Sequence, residues 1–600
     1  MISEPRPMTP SSVQNLPLGA AFLWEPTGSR EITAPERFTE EQRQMAKAGR
    51  DFAEKEILPR VKEIESKKEG LIPELLRKAG ELGLLMVDVP TEYGGLGLGK
   101  TTSMLLAEQF SGEGSFSVSL GAHTGIGTMP IVYFGTPEQK AKYLPQLATG
   151  HKIAAYALTE AGSGSDALAA KTKAVASADG RQWIVNGTKQ FITNANFADL
   201  FVIFAQVPTP EGDKFSAFIV DRNTPGFSVG PEEHKMGIRG SSTCSLTFEE
   251  MKIPRENLLG EIGKGHKIAF NILNIGRMKL GIGTTGACKY TLGVSTRYAK
   301  ERQQFGKTIA SFGLVATKLA EMALLAFVGE TIGYRTTGLF DERLKVAGSD
   351  KERVGAIEEF SVEASIIKVF GSEALDFCAD EAVQIHGGYG FVEEYVPERI
   401  LRDSRINRIF EGTNEINRLI VPATILKRSM KGQIPLLDHS MKIREKLGAG
   451  EIPKPTIPEL EVESQVVEFC KWIAIYVLSV AAETYHVNLA EEQEVLGDIA
   501  DMIATVYALD SVVQRVQQIL KGVDVPRKSL VKDMLTAYAP RAYSFVVHTG
   551  RHLLMDICDE TTLPTHLKAI DRLQIDWPSK VIAAKRRIAQ AVLEAEGYPC

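Results

Sequence analysis

Apolar positions recur at helical spacing from Thr39 to Leu85, with Phe52, Ile57, Val61 and Ile64 on one face. Thr39-Glu40-Glu41 supplies a start signal for that run. The loop Gly94-Gly95-Leu96-Gly97-Leu98-Gly99 breaks it, and the helical period resumes over Thr102 to Phe110 and Ile126 to Phe134. Pro137-Glu138-Gln139-Lys140 opens a further short helix. Near Ile153 the character changes, and residues 172–258 read as strands. Trp183-Ile184-Val185 before Asn186-Gly187 predicts a strand and a turn, and Leu200 to Ala205 and Ser216 to Val220 are β-rich. Helical spacing returns at Gly265 in segments at about 265–302, 314–341, 355–384 and 413–427, with Pro422 expected to kink the last. A Gly- and Pro-rich stretch follows from Met430 to about Pro458, then helices at 460–486, 489–521, 526–556 and 578–596.

This pattern divides the chain into an irregular leader (1–37), a helical domain (38–152), a β-domain (153–260), a second helical domain (261–429), a linker (430–459) and a C-terminal helical domain (460–600). The fold class is mainly α with a small β-domain. A length of 600 residues agrees with several domains.

Composition narrows the function classes. With 44% hydrophobic and 24% charged residues, the chain is an ordinary globular protein. A net charge of -6 argues against a general nucleic-acid binder. The six cysteines are scattered without a Cys-x-x-Cys pair, so no metal site and no disulfide framework is read, and a reducing compartment is expected. Met1 to Leu18 has no apolar signal core and is not rich in Arg, which points to the cytoplasm. The longest apolar run, Trp472 to Ala482, is too short to span a bilayer and reads as a buried helix.

Three stretches carry candidate chemistry. In Arg402 to Arg418, Glu411 follows Ile409-Phe410 and precedes Gly412 and a helix that Thr413 can cap. A desolvated carboxylate there can act as a general base, though acids near helix starts mostly complement the dipole. Thr159 to Asp166 is a Gly/Ser-rich connector between helical block and β-domain, where backbone can approach a ligand closely. It lacks the Gly-x-Gly-x-x-Gly pattern, which excludes a Rossmann reading. Gln384-Ile385-His386-Gly387-Gly388-Tyr389-Gly390-Phe391 ends a long helix, either as a simple cap or as backbone wrapped against a cofactor.

Taken with Arg302-Gln303-Gln304-Phe305-Gly306-Lys307, the order and spacing of these stretches resemble the acyl-CoA dehydrogenase family over about Phe38 to Arg428. Leu120-Gly121-Ala122-His123, Asn271 to Arg277 and the C-terminal extension look most like its very-long-chain branch. The resemblance implies FAD bound between the β-domain and the second helical domain. Leu158, Thr159, Ser165, Phe191, Thr193 and Thr413 match flavin contacts, Phe191 standing where the family commonly has Trp. Arg302, Phe305, Gln384 and Gly388 match residues that reach the FAD of a neighbouring subunit, which implies a homodimer. Ser165 and Arg277 match positions that engage the CoA portion, and Gly412 belongs with the substrate site.

Glu411 matches the catalytic base; a minority of the family places that acid near residue 276, which here is Gly276. The implied reaction takes acyl-CoA to trans-2-enoyl-CoA in fatty acid β-oxidation and passes electrons to an electron-transfer flavoprotein. Val118, Gly121 and Ala122 stand where medium-chain members carry larger side chains, which predicts room for a long acyl chain. Two rivals share the resemblance: an acyl-CoA oxidase that uses oxygen, and a non-catalytic scaffold that kept the fold. The very-long-chain branch attaches to membranes between its helical domains. Here Leu436, Leu437, Met441, Ile443 and Leu447 give only a modest apolar face, leaving membrane association open.

Overall fold

The computed structural model describes residues 16–522 and 528–600. Local signals place the first helices. Thr39 caps Glu40–Phe52 through a reciprocal box in which its hydroxyl accepts from the Gln42 amide and Gln42 Oε1 accepts from the Thr39 amide. The same box, Thr136 with Gln139, opens Pro137–Ala148. The helix expected over Ile126–Phe134 is divided: Ala122–Gly127 forms a π-turn and the α-helix begins only at Met129. Pro130 lacks an amide hydrogen and fits the first turn of a helix, not its interior.

The β-domain is one mostly antiparallel sheet. Its strands run Phe227–Glu232, Thr243–Pro254, Gln182–Thr193, Lys173–Ala176, Leu200–Val207, Lys214–Asp221 and Leu258–Leu259 in spatial order, and Ala154–Ala157 pairs parallel to Leu200–Val207. Asn186-Gly187 is not a turn. It lies inside the twelve-residue strand Gln182–Thr193, where the register against Thr243–Pro254 shifts between Val185 and Gly187. Gly187 has φ +147° and presses on Thr172, so the Asn-Gly pair makes a bulge in a strand whose partner continues past it. The sheet keeps its own apolar core around Trp183, Phe201, Phe218 and Leu246.

Two long helices, Gly265–Glu301 and Gly313–Val346, carry the second helical block with Ser361–His386 and Asn414–Met430. The segment expected as one helix at 355–384 is two, because the chain breaks at Phe360 between Asp350–Glu359 and Ser361–His386. The linker 430–459 also differs from expectation, since it contains the helix Leu436–Ala449. Leu436, Ile443 and Leu447 are buried in it while Leu437 and Met441 are exposed, so these five apolar residues do not share a face.

C-terminal helices Glu461–Tyr485, Gln493–Leu520, Lys528–Ile557 and Val581–Ala595 form a further bundle, with a short Leu563–Asp571 helix that periodicity did not indicate. Glu461–Tyr485 is apolar and long enough to cross a membrane by composition, yet most of that stretch is buried in the bundle. One continuous apolar core joins this bundle to the second helical block. The described part of the leader is ordered into that seam: Phe22 lies 4.7 Å from the Tyr507 ring, and the Ala20 amide donates to Glu363 Oε1 at 2.6 Å.

Candidate active site

Glu411 lies between the short turn Arg405–Arg408 and the helix Asn414–Met430. Its backbone is left-handed, φ +59°, and Gly412 follows at φ +78°. Two such residues in succession reverse the chain and aim the carboxylate away from the helix that Thr413 caps through the Ile416 amide. Only Gly412 adopts this conformation without steric penalty, so the strain at Glu411 must be held by its neighbours.

Three buried side chains hold it. Arg277 Nε donates to the Glu411 carbonyl at 3.2 Å, and its Nη1 donates to Asn274 Oδ1 at 2.9 Å. Lys368 Nζ donates to the Gly412 carbonyl at 2.8 Å and to Asn414 Oδ1 at 2.7 Å. Asn417 Nδ2 donates to the carbonyls of Gly412 and Thr413 at 2.9 and 3.0 Å. Glu411 Oε2 is buried without a hydrogen-bond partner among the described residues. Burial pushes the Glu411 carboxyl up to about 7 against the pull of Arg277 and Lys368. Burial likewise lowers Arg277 to about 10 and Lys368 to about 7.

The carboxylate faces Gly276, where a Cβ would collide with Glu411 Oε2. Gly276, with no side chain, therefore makes the room that the Glu411 carboxylate occupies. From this point a cavity of about 170 Å³ runs along one face of the 265–301 helix: Gly276, Leu280, Gly283, Thr284, Ala287 and Thr291. Fifteen residues at about 1.5 Å each extend it to roughly 22 Å. Val118, Gly121 and Ala122 lie on the facing wall, and Thr193 and Glu411 are also in the lining.

The Thr159–Asp166 connector is pinned beside the sheet. The Gln190 amide donates to the Thr159 carbonyl at 2.9 Å, and Lys189 Nζ donates to the Leu158 carbonyl at 3.2 Å and to Glu160 Oε1 at 2.7 Å. Leu158 is buried, whereas Ser165 stands in solvent and Gly162 and Gly164 face open space. Phe191, the next residue of the strand, has φ +58° and is 61% exposed. A large aromatic held open in a strained conformation fits a planar cofactor. The buried Tyr156 hydroxyl, unpartnered and close enough to feel the Glu411 charge, is a second unfilled feature that fits such a group.

Arg302, Phe305, Gln384 and Gly388 are not part of this cavity. All four are exposed; Arg302 lies 5.8 Å from the Tyr389 ring centre, and Phe305, 93% exposed, packs edge-on to Phe312. His386 is structural: it stacks on Tyr298 at 4.1 Å, and its Nδ1 pairs with the Ala382 carbonyl. Sequence reasoning missed Lys368, Asn417 and Tyr156. A signal existed for Lys368, a cation between Ile367 and Val369 inside a helix too apolar to leave it unpaired.

Comparison with known proteins agrees with this geometry. Family models match residues 39–151 (acyl-CoA dehydrogenase, N-terminal domain), 155–251 (middle domain) and 263–426 (C-terminal domain), and a further acyl-CoA dehydrogenase C-terminal model matches 469–572. A probable acyl-CoA dehydrogenase of Bacillus subtilis (strain 168) is 47% identical over 97% of this chain and 98% of its own. The very long-chain specific acyl-CoA dehydrogenase of Rattus norvegicus mitochondria is 37% identical over 73% of this chain and 69% of its own. The solved structure of a Bacillus anthracis acyl-CoA dehydrogenase complexed with FAD superposes with a TM-score of 0.95 at 46% identity, covering 97% of this chain and 100% of that one. The chain belongs to the acyl-CoA dehydrogenase family and is an FAD-dependent acyl-CoA dehydrogenase.

Proposed function

We propose that this dehydrogenase oxidises long-chain acyl-CoA to trans-2-enoyl-CoA in fatty acid β-oxidation and gives its electrons to an electron-transfer flavoprotein. The observation that carries the reading is the unpartnered, buried Glu411 carboxylate at one end of a cavity that follows the 265–301 helix for roughly 22 Å. Glu411 takes the proton from the carbon next to the thioester. Its displacement from water makes it a stronger base than an exposed glutamate, and Arg277 and Lys368 hold its loop in place. The Glu411 backbone amide serves as a donor to the thioester oxygen as negative charge gathers there. FAD supplies the hydride acceptor when bound. Leu158, Thr159, Ser165, Phe191, Thr193 and Thr413 would hold it, and Ser165 and Arg277 serve the CoA end of the substrate.

Arg302, Phe305, Gln384 and Gly388 would reach the FAD of a second copy in a homodimer. Supporting this is their exposure together with that of Phe391, which is 82% exposed. The apolar helix Glu461–Tyr485 turns most of its apolar side chains into the bundle. The test is anaerobic titration of the flavin-loaded protein with acyl-CoAs of graded length. Bleaching should be fastest with long chains, and reoxidation in air should yield little peroxide. An optimum at short chains, or rapid stoichiometric peroxide, would overturn the reading.

A further inference from the structure

The wall formed by Val118, Gly121 and Ala122 leaves space that its own side chains do not fill. The structure shows what enters it. Lys279, one turn beyond Gly276 on the 265–301 helix, lines the same cavity as Glu411 and is nine-tenths buried. Its butyl stem crosses the bare faces of two glycines. A Cβ on Gly121 would meet Lys279 Cδ at 3.8 Å, and one on Gly125 would meet Cδ at 3.5 Å and Nζ at 3.7 Å. The ammonium is tethered beyond them, donating to Thr124 Oγ1 at 2.8 Å in the π-turn Ala122–Gly127. Thr124 is fixed in turn by donating to the Leu120 carbonyl at 2.9 Å.

We infer that Lys279 is a specificity-determining residue whose tethered stem sets the width of the acyl channel just past the reacting carbons, so that the enzyme prefers unbranched chains. The inference rests on the acyl chain lying in this cavity. A lysine stem in lumen contact offers the acyl chain methylene against methylene. It also occupies the volume that a methyl branch at that depth would need. Two glycines opposite a long side chain make one wall from two elements, and the Thr124 tether stops the stem from swinging aside. One methylene in an apolar pocket is worth about ten- to two-hundredfold in discrimination, so one immobile side chain is enough to separate straight from branched substrates.

The test compares wild type, Lys279→Ala and Lys279→Met as flavin-loaded enzymes. The readout is kcat/KM for a straight acyl-CoA over its methyl-branched isomers, with the branch set successively further from the thioester. Wild-type turnover of the straight substrate checks the proposed dehydrogenase activity independently of the variants. Lys279→Ala should lower the straight-to-branched ratio about tenfold or more at one branch position. Lys279→Met keeps an unbranched stem but loses the Thr124 tether, and should hold a ratio between those of Lys279→Ala and wild type. If Ala does not give flavin-loaded protein, Lys279→Val removes most of the stem and should lower the ratio in the same direction. Ratios unchanged at every branch position, or Met behaving like Ala, would overturn the assignment of width to the stem.

Discussion

A base that works must be ionised in the enzyme that meets its substrate, and Glu411 sits near the middle of that balance, with its carboxyl pushed up to about 7 by burial. The proton-accepting form is the minor one below that value and dominates above it. kcat/KM should therefore rise as pH increases through about 7 and level off on the alkaline side, because it reports the free enzyme. Glu411→Gln should retain FAD and bind acyl-CoA, lose turnover by orders of magnitude, and lose this rise. Flavin bleaching at wild-type rate in that variant would assign the base elsewhere. Gly276 belongs to the same argument. A methyl group there collides with Glu411 Oε2, so Gly276→Ala should displace the carboxylate and cut kcat by about a hundredfold without releasing flavin. Unchanged stopped-flow bleaching in Gly276→Ala would show that the base lies clear of that face.

At the scale of elements, the join between the catalytic helices and the C-terminal bundle rests on buried ions as well as apolar packing. Arg515, on Gln493–Leu520, pairs with Glu330 of the Gly313–Val346 helix at 2.8 Å and with Glu36 of the leader at 2.6 Å. Tyr598 donates to the other face of this group, to Glu330 Oε2 at 2.9 Å, and Lys289 pairs with the same carboxylate. Removing Arg515 takes away the buried partner of Glu36 and leaves Glu330 to Lys289 and Tyr598; breaking a buried pair costs about 3–5 kcal/mol. Arg515→Met should lower the melting temperature accordingly, measured by calorimetry on the flavin-loaded protein. A melting temperature equal to wild type would mean that the seam is held by its apolar contacts alone. The helix Leu436–Ala449 shows why composition misled there. Gly and Pro mark its ends, and its buried residues at 436, 440, 443 and 447 keep a three-four spacing within a polar stretch.

For the whole molecule, the cavity and the exposed aromatics make different demands. The residues that line the cavity are spread over the N-terminal helices, the sheet and the second helical block. Phe305, Tyr389 and Phe391 are large aromatics exposed to solvent, with Arg302 over the Tyr389 ring, and exposed apolar surface of this kind marks a contact surface. In the proposed homodimer, Phe305→Asp combined with Phe391→Asp should give monomer and lower the FAD content, followed by light scattering with absorbance detection. A dimeric, fully flavin-loaded double variant would place the interface on another face.

The order of helical and strand-rich blocks was written in hydrophobic period, because a 3.6-residue repeat and a two-residue repeat bury different faces and leave distinct patterns. Glu411, Gly412 and Thr413 were legible as an acid, a left-handed turn and a cap, since each is a property of the local chain. The Asn186-Gly187 pair was not: the same dipeptide serves a turn or a bulge, and the pairing of Gln182–Thr193 with Thr243–Pro254 decides which. Nor could the chain alone show that Lys368 clamps the Gly412 carbonyl, a partner 44 residues away, or that Lys279 from one helix fills the bareness of Gly121 and Gly125 on another. Local pattern fixes which face of an element is apolar, whereas contact across elements depends on how those faces stack. Glu411 was singled out in the sequence through the family resemblance, and the shape of the space in front of it was settled only by tertiary packing.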